Sequence, residues 1–446
     1  MKCFLLKMRV NGIKNIDKEI ELNFYNSTVN KIFDSFNSNV KSIYGTNGAG
    51  KTGIIYAVEI YKSIMFDDTY LTLSNVNGNL KNLINQKLNQ FSITMTFALI
   101  EGDKIIDIYE HSLVIGNQNE RFIIAKEKLY KMTSMNINDQ NKRKLIYSVD
   151  KGELNLNEEF VARDEIKRKS LNLLSNQTFV SFIVFNYKKP KLITDFDLRK
   201  GIHAMTFFVC NLTVVLQDTD KNYINIASLR NQLSSIDELM DKVEEETFDE
   251  LMFRGRITAN AVDRVYKKNF DTYKKFVNNL SKFIKIFKPD LKKIEIKADE
   301  NEDFFECQNI MIYADGRRID KKYESTGIKK LIEMYSALCD LERGKIVFID
   351  EFDANIHDVL LVKLVDYIKQ YSNGQFIFTT HNLAPMDILQ KAKHSIDFLS
   401  PDSHITSWKK NGNYTAASLY SKGLIEYSPF NLEAFNFLGV FGDDTE

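Results

Sequence analysis

The chain of 446 residues is long enough for one large or about two to three ordinary domains, and 44% hydrophobic with 27% charged residues is the balance of a soluble globular protein. Lys+Arg and Asp+Glu both total 60, so bulk charge offers nothing toward a nucleic-acid partner, though a local basic face stays compatible with one. The four cysteines (Cys3, Cys210, Cys307, Cys339) are scattered without a C-x-x-C pair, which excludes a disulfide framework or a zinc site of the usual kind and suits a reducing cytoplasm.

Charge follows Met1 to Leu6 at once, so the start reads as no signal peptide. Residues 2 to 10 alternate, with Phe4, Leu6, Met8 and Val10 on one face and Lys7 and Arg9 on the other. A turn at Asn11-Gly12 leads to a second strand, Glu19 to Phe24. The apolar run Val40 to Tyr44 then reads as a buried strand. It feeds Gly45-Thr46-Asn47-Gly48-Ala49-Gly50-Lys51-Thr52, which fits G-x-x-x-x-G-K-[ST]. A helical pattern follows, with Ile54, Ile55, Val58, Ile60 and Tyr61 recurring at helical spacing. The glycines let backbone N–H groups turn inward around phosphates, and the helix adds the positive end of its dipole. Lys51 would reach the β- and γ-phosphates and the Thr52 hydroxyl would ligate Mg²⁺. The motif in this context predicts a nucleoside triphosphate site.

Asn- and Leu-rich turns are expected over residues 67 to 82. Strand signals then crowd together at Phe91 to Ile100, Lys104 to Ile115, Arg121 to Leu129 and Lys144 to Val149, the pattern of an antiparallel meander. From about Asn157 to Pro289 the texture becomes helical and predicts a compact helical insertion. Its most apolar window, Ile202 to Leu216, is too short to span a bilayer, contains His203 and Asn211, and reads as a core helix. Strands return at Leu291 to Ile296 and Phe304 to Tyr313. A helix (Gly327 to Leu341), a strand (Ile346 to Ile349), a helix (Val359 to Tyr371), a strand (Phe376 to Thr379), a helix after Asn382 and a strand (Ser395 to Leu399) then alternate as in a parallel α/β sheet. The expected division is a head lobe over 1–156, a helical insertion over 157–289, a second head lobe over 290–410, and a tail over 411–446. The aromatic-rich Tyr427 to Phe441 in that tail would pack on the head or on a neighbour.

Lys345 to Glu351 is an apolar strand ending in two carboxylates. Asp350 at its edge can hold Mg²⁺ through water, and Glu351 is placed to orient or deprotonate an attacking water. The strand Phe376 to Thr379 leads through Thr380 to His381, a group able to donate to a γ-phosphate. Ser325 and Gly327, just before a helix, offer a hydroxyl and exposed N–H groups to an anion.

Together these pieces resemble the ATP-binding cassette ATPases, in their SMC/RecF/Rad50-like branch with its bacterial AAA15/OLD-like relatives. The matched pieces are Gly45 to Thr52 (Walker A), Glu324-Ser325-Thr326-Gly327 (a degenerate signature), Ile346 to Glu351 (Walker B), Asp353 to His357 (D-loop region) and Thr380-His381-Asn382 (switch histidine). The resemblance covers roughly residues 1 to 150 and 290 to 410. It implies an α/β fold: a P-loop NTPase head of ABC type, with a mixed sheet, an antiparallel β subdomain and a helical insertion. It also implies ATP as substrate with Mg²⁺ as cofactor. Asn47, Gly48, Ala49, Gly50, Lys51, Thr52, Ser325 and Gly327 would bind nucleotide, Thr52 and Asp350 the metal, and Lys51, Glu351 and His381 would act in catalysis. Ser325 and Gly327 would contact the γ-phosphate held by a second subunit, so the working unit would be a homodimer or higher homo-oligomer.

The chain departs from the family in places. The signature lacks the second glycine and the glutamine of transporters, the long coiled coil is missing, and a Toprim nuclease domain has no room. Gln86, Gln90 and Gln177 are alternative candidates for the family's glutamine loop. No nuclease metal cluster, Ser-His-Asp arrangement or DNA-reading module is visible, and Arg199 and His203 are one residue too close for an R-x-x-x-x-H pair. A head without an effector looks like the ATPase subunits of bacterial antiphage, abortive-infection systems, cytoplasmic proteins that control a separate toxin or nuclease. The alternatives are a RecF/SMC-like repair or recombination ATPase that clamps DNA, and a scaffold that keeps ATP unhydrolysed.

Overall fold

The computed structural model describes residues 1–36, 38–156, 163–186, 196–216, 262–410 and 414–425. The meander signals become a seven-stranded antiparallel sheet ordered β2-β1-β4-β5-β6-β7-β8. Its strands are β1 (Lys2–Asn11), β2 (Ile20–Asn23), β4 (Gln90–Glu101), β5 (Lys104–Gln118), β6 (Arg121–Met132), β7 (Arg143–Asp150) and β8 (Glu153–Leu156). β1 is covered on both faces, against the expected alternation. Lys7 is buried, and its ammonium is satisfied by Asn138 Oδ1 at 2.7 Å.

A second sheet of six strands is ordered β17-β16-β3-β15-β14-β9. It comprises β3 (Val40–Gly45), β9 (Leu212–Val215), β14 (Ile346–Ile349), β15 (Gln375–Thr379), β16 (Ile396–Leu399) and β17 (Ile405–Ser407). All pairs are parallel except β16 with β17. Alternate residues serve two cores: Ile43, Ile346, Phe348 and Ile377 face one, and Val40, Tyr44, Val347, Ile349, Phe376 and Phe378 the other. Burial on both faces is why these strands read as continuous apolar runs. The phosphate-loop strand and the two C-terminal strands thus share one sheet, as their order in the chain predicts.

Among the described residues, two strands fall within 157–289, where the texture reads as helical. β9 pairs with β14 and so belongs to the central sheet. The helix before it ends at Cys210 because Asn211 turns its Nδ2 back onto the Phe207 carbonyl at 2.8 Å, freeing Leu212 to Val215 to extend. A core helix over Ile202 to Leu216 is therefore corrected to a helix followed by a strand. β10 (Asp263–Tyr266) likewise joins a third, antiparallel sheet with β11 (Leu291–Glu300), β12 (Phe304–Tyr313) and β13 (Arg318–Asp320).

The described helices are α1 (Lys51–Phe66), α2 (Ser74–Leu83), α3 (Arg163–Ser170), α4 (Phe179–Asn186), α5 (Phe196–Cys210), α6 (Phe270–Phe287), α7 (Thr326–Glu342), α8 (Asp358–Tyr371), α9 (Met386–Leu389) and α10 (Ala416–Ser421). α2 replaces the expected turns, because Val76 and Leu80 sit one turn apart and are both buried. The helix after Asn382 is only the short α9. α1, α4 and α5 pack with the antiparallel sheet, where Phe208 stacks on Phe97 at 4.1 Å between ring centroids. A buried polar chain also ties α1 to that sheet: Tyr61 to His111 (2.9 Å), His111 to Glu127 (3.2 Å), with Tyr147 donating to Glu127 (2.6 Å). α6, α7 and α8 line the second core. Tyr420 of α10 packs on Phe398 beside Tyr44, while Tyr427 to Phe441 lie outside the described residues. No described helix is long and apolar enough to cross a membrane.

Candidate functional site

Three neighbouring parallel strands end at one edge of the central sheet, and each delivers part of the site. β3 runs into the glycine loop, β14 into Asp350-Glu351, and β15, between them, into Thr380-His381. Ligands of open parallel sheets bind at this carboxyl edge.

Asn47 and Gly48 are exposed at the loop tip, whereas Ala49 is buried beneath them. Gly50 takes a φ of 108° at the N-cap of α1, and a Cβ there would stand 2.9 Å from Ile16 Cγ1. Only glycine fits both the left-handed backbone and the approach of Ile16. The first turn of α1 carries no acidic residue, which leaves its N–H groups and dipole open to an anion. Asn15 braces the loop from outside, its Nδ2 donating to the Gly48 carbonyl at 2.5 Å. Lys51 donates to the carbonyls of Gly45 (2.8 Å) and Thr46 (3.1 Å). Burial lowers its pKa, and Asp350, Glu351 and Asp353 pull it back up, so these carboxylates share the lysine's surroundings. Thr52 follows in the first turn, partly exposed. Buried Thr46 Oγ1 has no hydrogen-bond partner among the described residues.

Asp350 is buried, and its Oδ1 accepts from Thr379 Oγ1 at 2.5 Å. The Glu351 N–H donates to the same hydroxyl at 2.8 Å. Glu351 has a φ of 45°, a left-handed conformation uncommon outside glycine. Lys330 of α7 donates to the Asp350 carbonyl at 3.0 Å. His381 stands at the exposed end of β15. Partial burial lowers its pKa first and Lys51 second, against Asp353, Glu351 and Asp350. A neutral imidazole beside an ammonium and three carboxylates can accept or donate a proton as the hydrogen-bond network requires. Asn382 Nδ2 ties the histidine's loop to α8 through Asp358 Oδ1 at 2.7 Å.

Ser325 is the N-cap of α7, its Oγ accepting from the Ile328 N–H at 3.4 Å. A Cβ on Gly327 would meet Asn355 at ordinary contact distance. Ser325 also accepts from the Lys329 N–H through its carbonyl at 3.0 Å, and its own N–H donates to Glu324 Oε2 at 3.3 Å. The site gathers Asn47 to Thr52, Asp350, Glu351 and His381 at this edge. Of the glutamine-loop candidates, Gln86 and Gln90 are exposed, whereas Gln177 is buried with its Oε1 unpartnered among the described residues.

The donor set fits a nucleotide with a hard divalent cation. A glycine-bounded cradle of N–H groups with a lysine suits phosphate, and a carboxylate with a nearby threonine hydroxyl suits Mg²⁺. Sequence reasoning missed Asn15, Lys330 and Thr379. Thr379 alone had a signal, its place at the end of the strand before His381.

Residues 42–387 match the family model described as "AAA domain, putative AbiEii toxin, Type IV TA system". Among solved structures, the Smc head domain of Pyrococcus furiosus, bound to the C-terminal domain of ScpA, is 14% identical with a TM-score of 0.43, covering 91% of this chain and 96% of that one. The Smc head of Pyrococcus yayanosii gives 14% and 0.42 over 91% and 97%. The recombination mediator RecF with ATP gives 14% and 0.40 over 91% and 99%. No curated protein matches the chain.

Proposed function

The chain belongs to that AAA-domain family, and on this premise we propose that it is an ATP-binding and ATP-hydrolysing subunit of a bacterial antiphage, abortive-infection-like system. It would control a separate toxin or nuclease through nucleotide-dependent pairing of two heads. The observation that carries the ATPase part is the shared edge of three parallel strands, where Lys51, Asp350, Glu351 and His381 lie within electrostatic reach of one another. The family's description, which names toxin–antitoxin systems, supports the defence part.

In this reading Asn47 to Thr52 surround the β- and γ-phosphates with N–H groups, and Lys51 leaves the Gly45 and Thr46 carbonyls to bind them. Thr52 and Asp350 would hold Mg²⁺, which would supply charge neutralisation to the phosphoryl oxygens. Glu351 takes a proton from the attacking water as general base, and His381 donates a hydrogen bond to the γ-phosphoryl group. Ser325 and Gly327 complete the site of a second copy.

The test is capture of Glu351→Gln protein with ATP from its native host, followed by mass spectrometry. A small toxin or nuclease encoded beside the gene is the expected companion. Recovery of DNA with repair proteins and no effector would overturn the defence role in favour of a DNA clamp.

A further inference from the structure

The peptide group joining Asp350 to Glu351 is held at both ends. Its carbonyl accepts from Lys330 Nζ at 3.0 Å, and its N–H donates to Thr379 Oγ1 at 2.8 Å. The residue that follows this peptide is the one with the left-handed φ of 45°. Such a backbone conformation at a non-glycine residue relaxes when the preceding peptide plane turns over, so it persists only where its surroundings hold that plane. Here the surroundings are two side chains on two different elements, β15 and α7.

Lys330 is an unusual residue to find in this place. It is 7% exposed, and on its own face of the helix, one turn along, stand half-buried Glu333 and buried Met334. Burial lowers its pKa, while Asp350, Glu351, Glu333 and Asp353 raise it. A buried ammonium is retained where it satisfies a specific acceptor. The acceptor is a backbone carbonyl, so the contact controls a peptide's orientation as well as local charge. The same helix begins at Ser325 and Gly327, one turn before Lys330.

We propose that Lys330 and Thr379 are positioning residues that fix the Asp350–Glu351 peptide, aim the Glu351 carboxylate at the water, and make that aim depend on the first turn of α7. The inference rests on the ATPase reading above. Docking of a second subunit at Ser325 and Gly327 sets the first turn of α7, Lys330 carries that setting to the Asp350 carbonyl, and Glu351 is held ready. Thr379 supplies the other end and also orients the Asp350 carboxylate, so its loss touches the metal as well.

The experiment compares wild type, Glu351→Gln, Lys330→Met, Lys330→Arg, Thr379→Val and Thr379→Ser by ATP affinity, steady-state turnover, Mg²⁺ dependence and thermal unfolding. Lys330→Met should lower kcat about tenfold or more while the ATP Kd moves less than about twofold, since a mis-aimed base affects the chemical step. Lys330→Arg and Thr379→Ser, which keep a donor, should recover most of the rate. Thr379→Val should lower kcat similarly and raise the Mg²⁺ requirement, which Lys330→Met should leave alone. Added to Glu351→Gln, Lys330→Met should change the residual rate by less than about twofold, because it acts through the side chain already removed. If Lys330→Met unfolds, the Thr379 pair decides the matter. Wild-type turnover that is lost in Glu351→Gln but kept in folded Lys330→Met and Thr379→Val overturns this inference alone. A wild-type protein that binds ATP without turnover overturns the ATPase reading and this inference with it.

Discussion

Lys51 is pulled between its own loop carbonyls and three nearby carboxylates, and its buried ammonium is the strongest positive charge offered to a phosphate. Replacing it with alanine should weaken ATP binding by about 100-fold, the worth of one to two charged hydrogen bonds, as read by titration with a fluorescent nucleotide. Glu351→Gln keeps size and polarity but removes the base, so ATP affinity should stay while turnover falls about 100-fold or more. His381 provides a pH signature. Burial and Lys51 lower its pKa beneath the ordinary 6.5, so the unfolded chain binds the proton first as pH falls. Stability should be full above about pH 6.5 and decline below it, with His394, lowered by burial and Lys41, acting in the same direction. Thermal unfolding across about pH 7.5 to 5 should show a shallower acid slope in His381→Gln. These residues were legible because a motif of fixed spacing, a strand ending in two acids and a strand ending near histidine each have a local signature. Lys330 acts on a peptide 20 residues away in sequence and carries no local pattern, whereas Thr379 had only its place at the end of the strand before His381 as a signal.

At the scale of elements, the antiparallel sheet and the central sheet are joined through α1 and α5. Phe208 of α5 lies flat on Phe97 of β4 with ring planes 5° apart, both fully buried. Phe208→Ala should cost about 3–5 kcal/mol in denaturant unfolding, with ATP affinity retained by whatever fraction remains folded. The strands and helices of residues 290–399 were readable from their alternation, since each apolar run is bounded by charge or by a turn. β9 was not. Its Leu-Thr-Val-Val continues an apolar helix without Gly or Pro between them, and the only break is the side chain of Asn211. α2 escaped for the opposite reason, because asparagines that usually mark turns here tether neighbours. Asn77 bonds the Leu71 carbonyl and accepts from Phe122 N.

For the whole molecule, the proposed docking of Ser325 and Gly327 on the nucleotide of a second copy makes a dimer the expected working unit. Glu351→Gln with ATP and Mg²⁺ should migrate as a dimer or larger in light scattering, and should return to the smaller species without nucleotide. Ser325→Arg in that background should bind ATP and stay small. The order of motifs along the chain predicted that its two ends meet in one sheet, because a phosphate loop needs the acidic strand at the same sheet edge. The third sheet, which carries the loop before Ser325, depends on β10 pairing with β12 across some forty residues, a contact no local pattern announces.

The central claim is that Glu351 drives hydrolysis of ATP held by the Lys51 loop. Its most direct measurement is ATP binding and phosphate release, side by side, for wild type, Glu351→Gln and Lys51→Ala. Binding with turnover in the first, binding without turnover in the second, and binding weakened about 100-fold with no turnover in the third is the predicted result. Phosphate release by Glu351→Gln at the wild-type rate would contradict it.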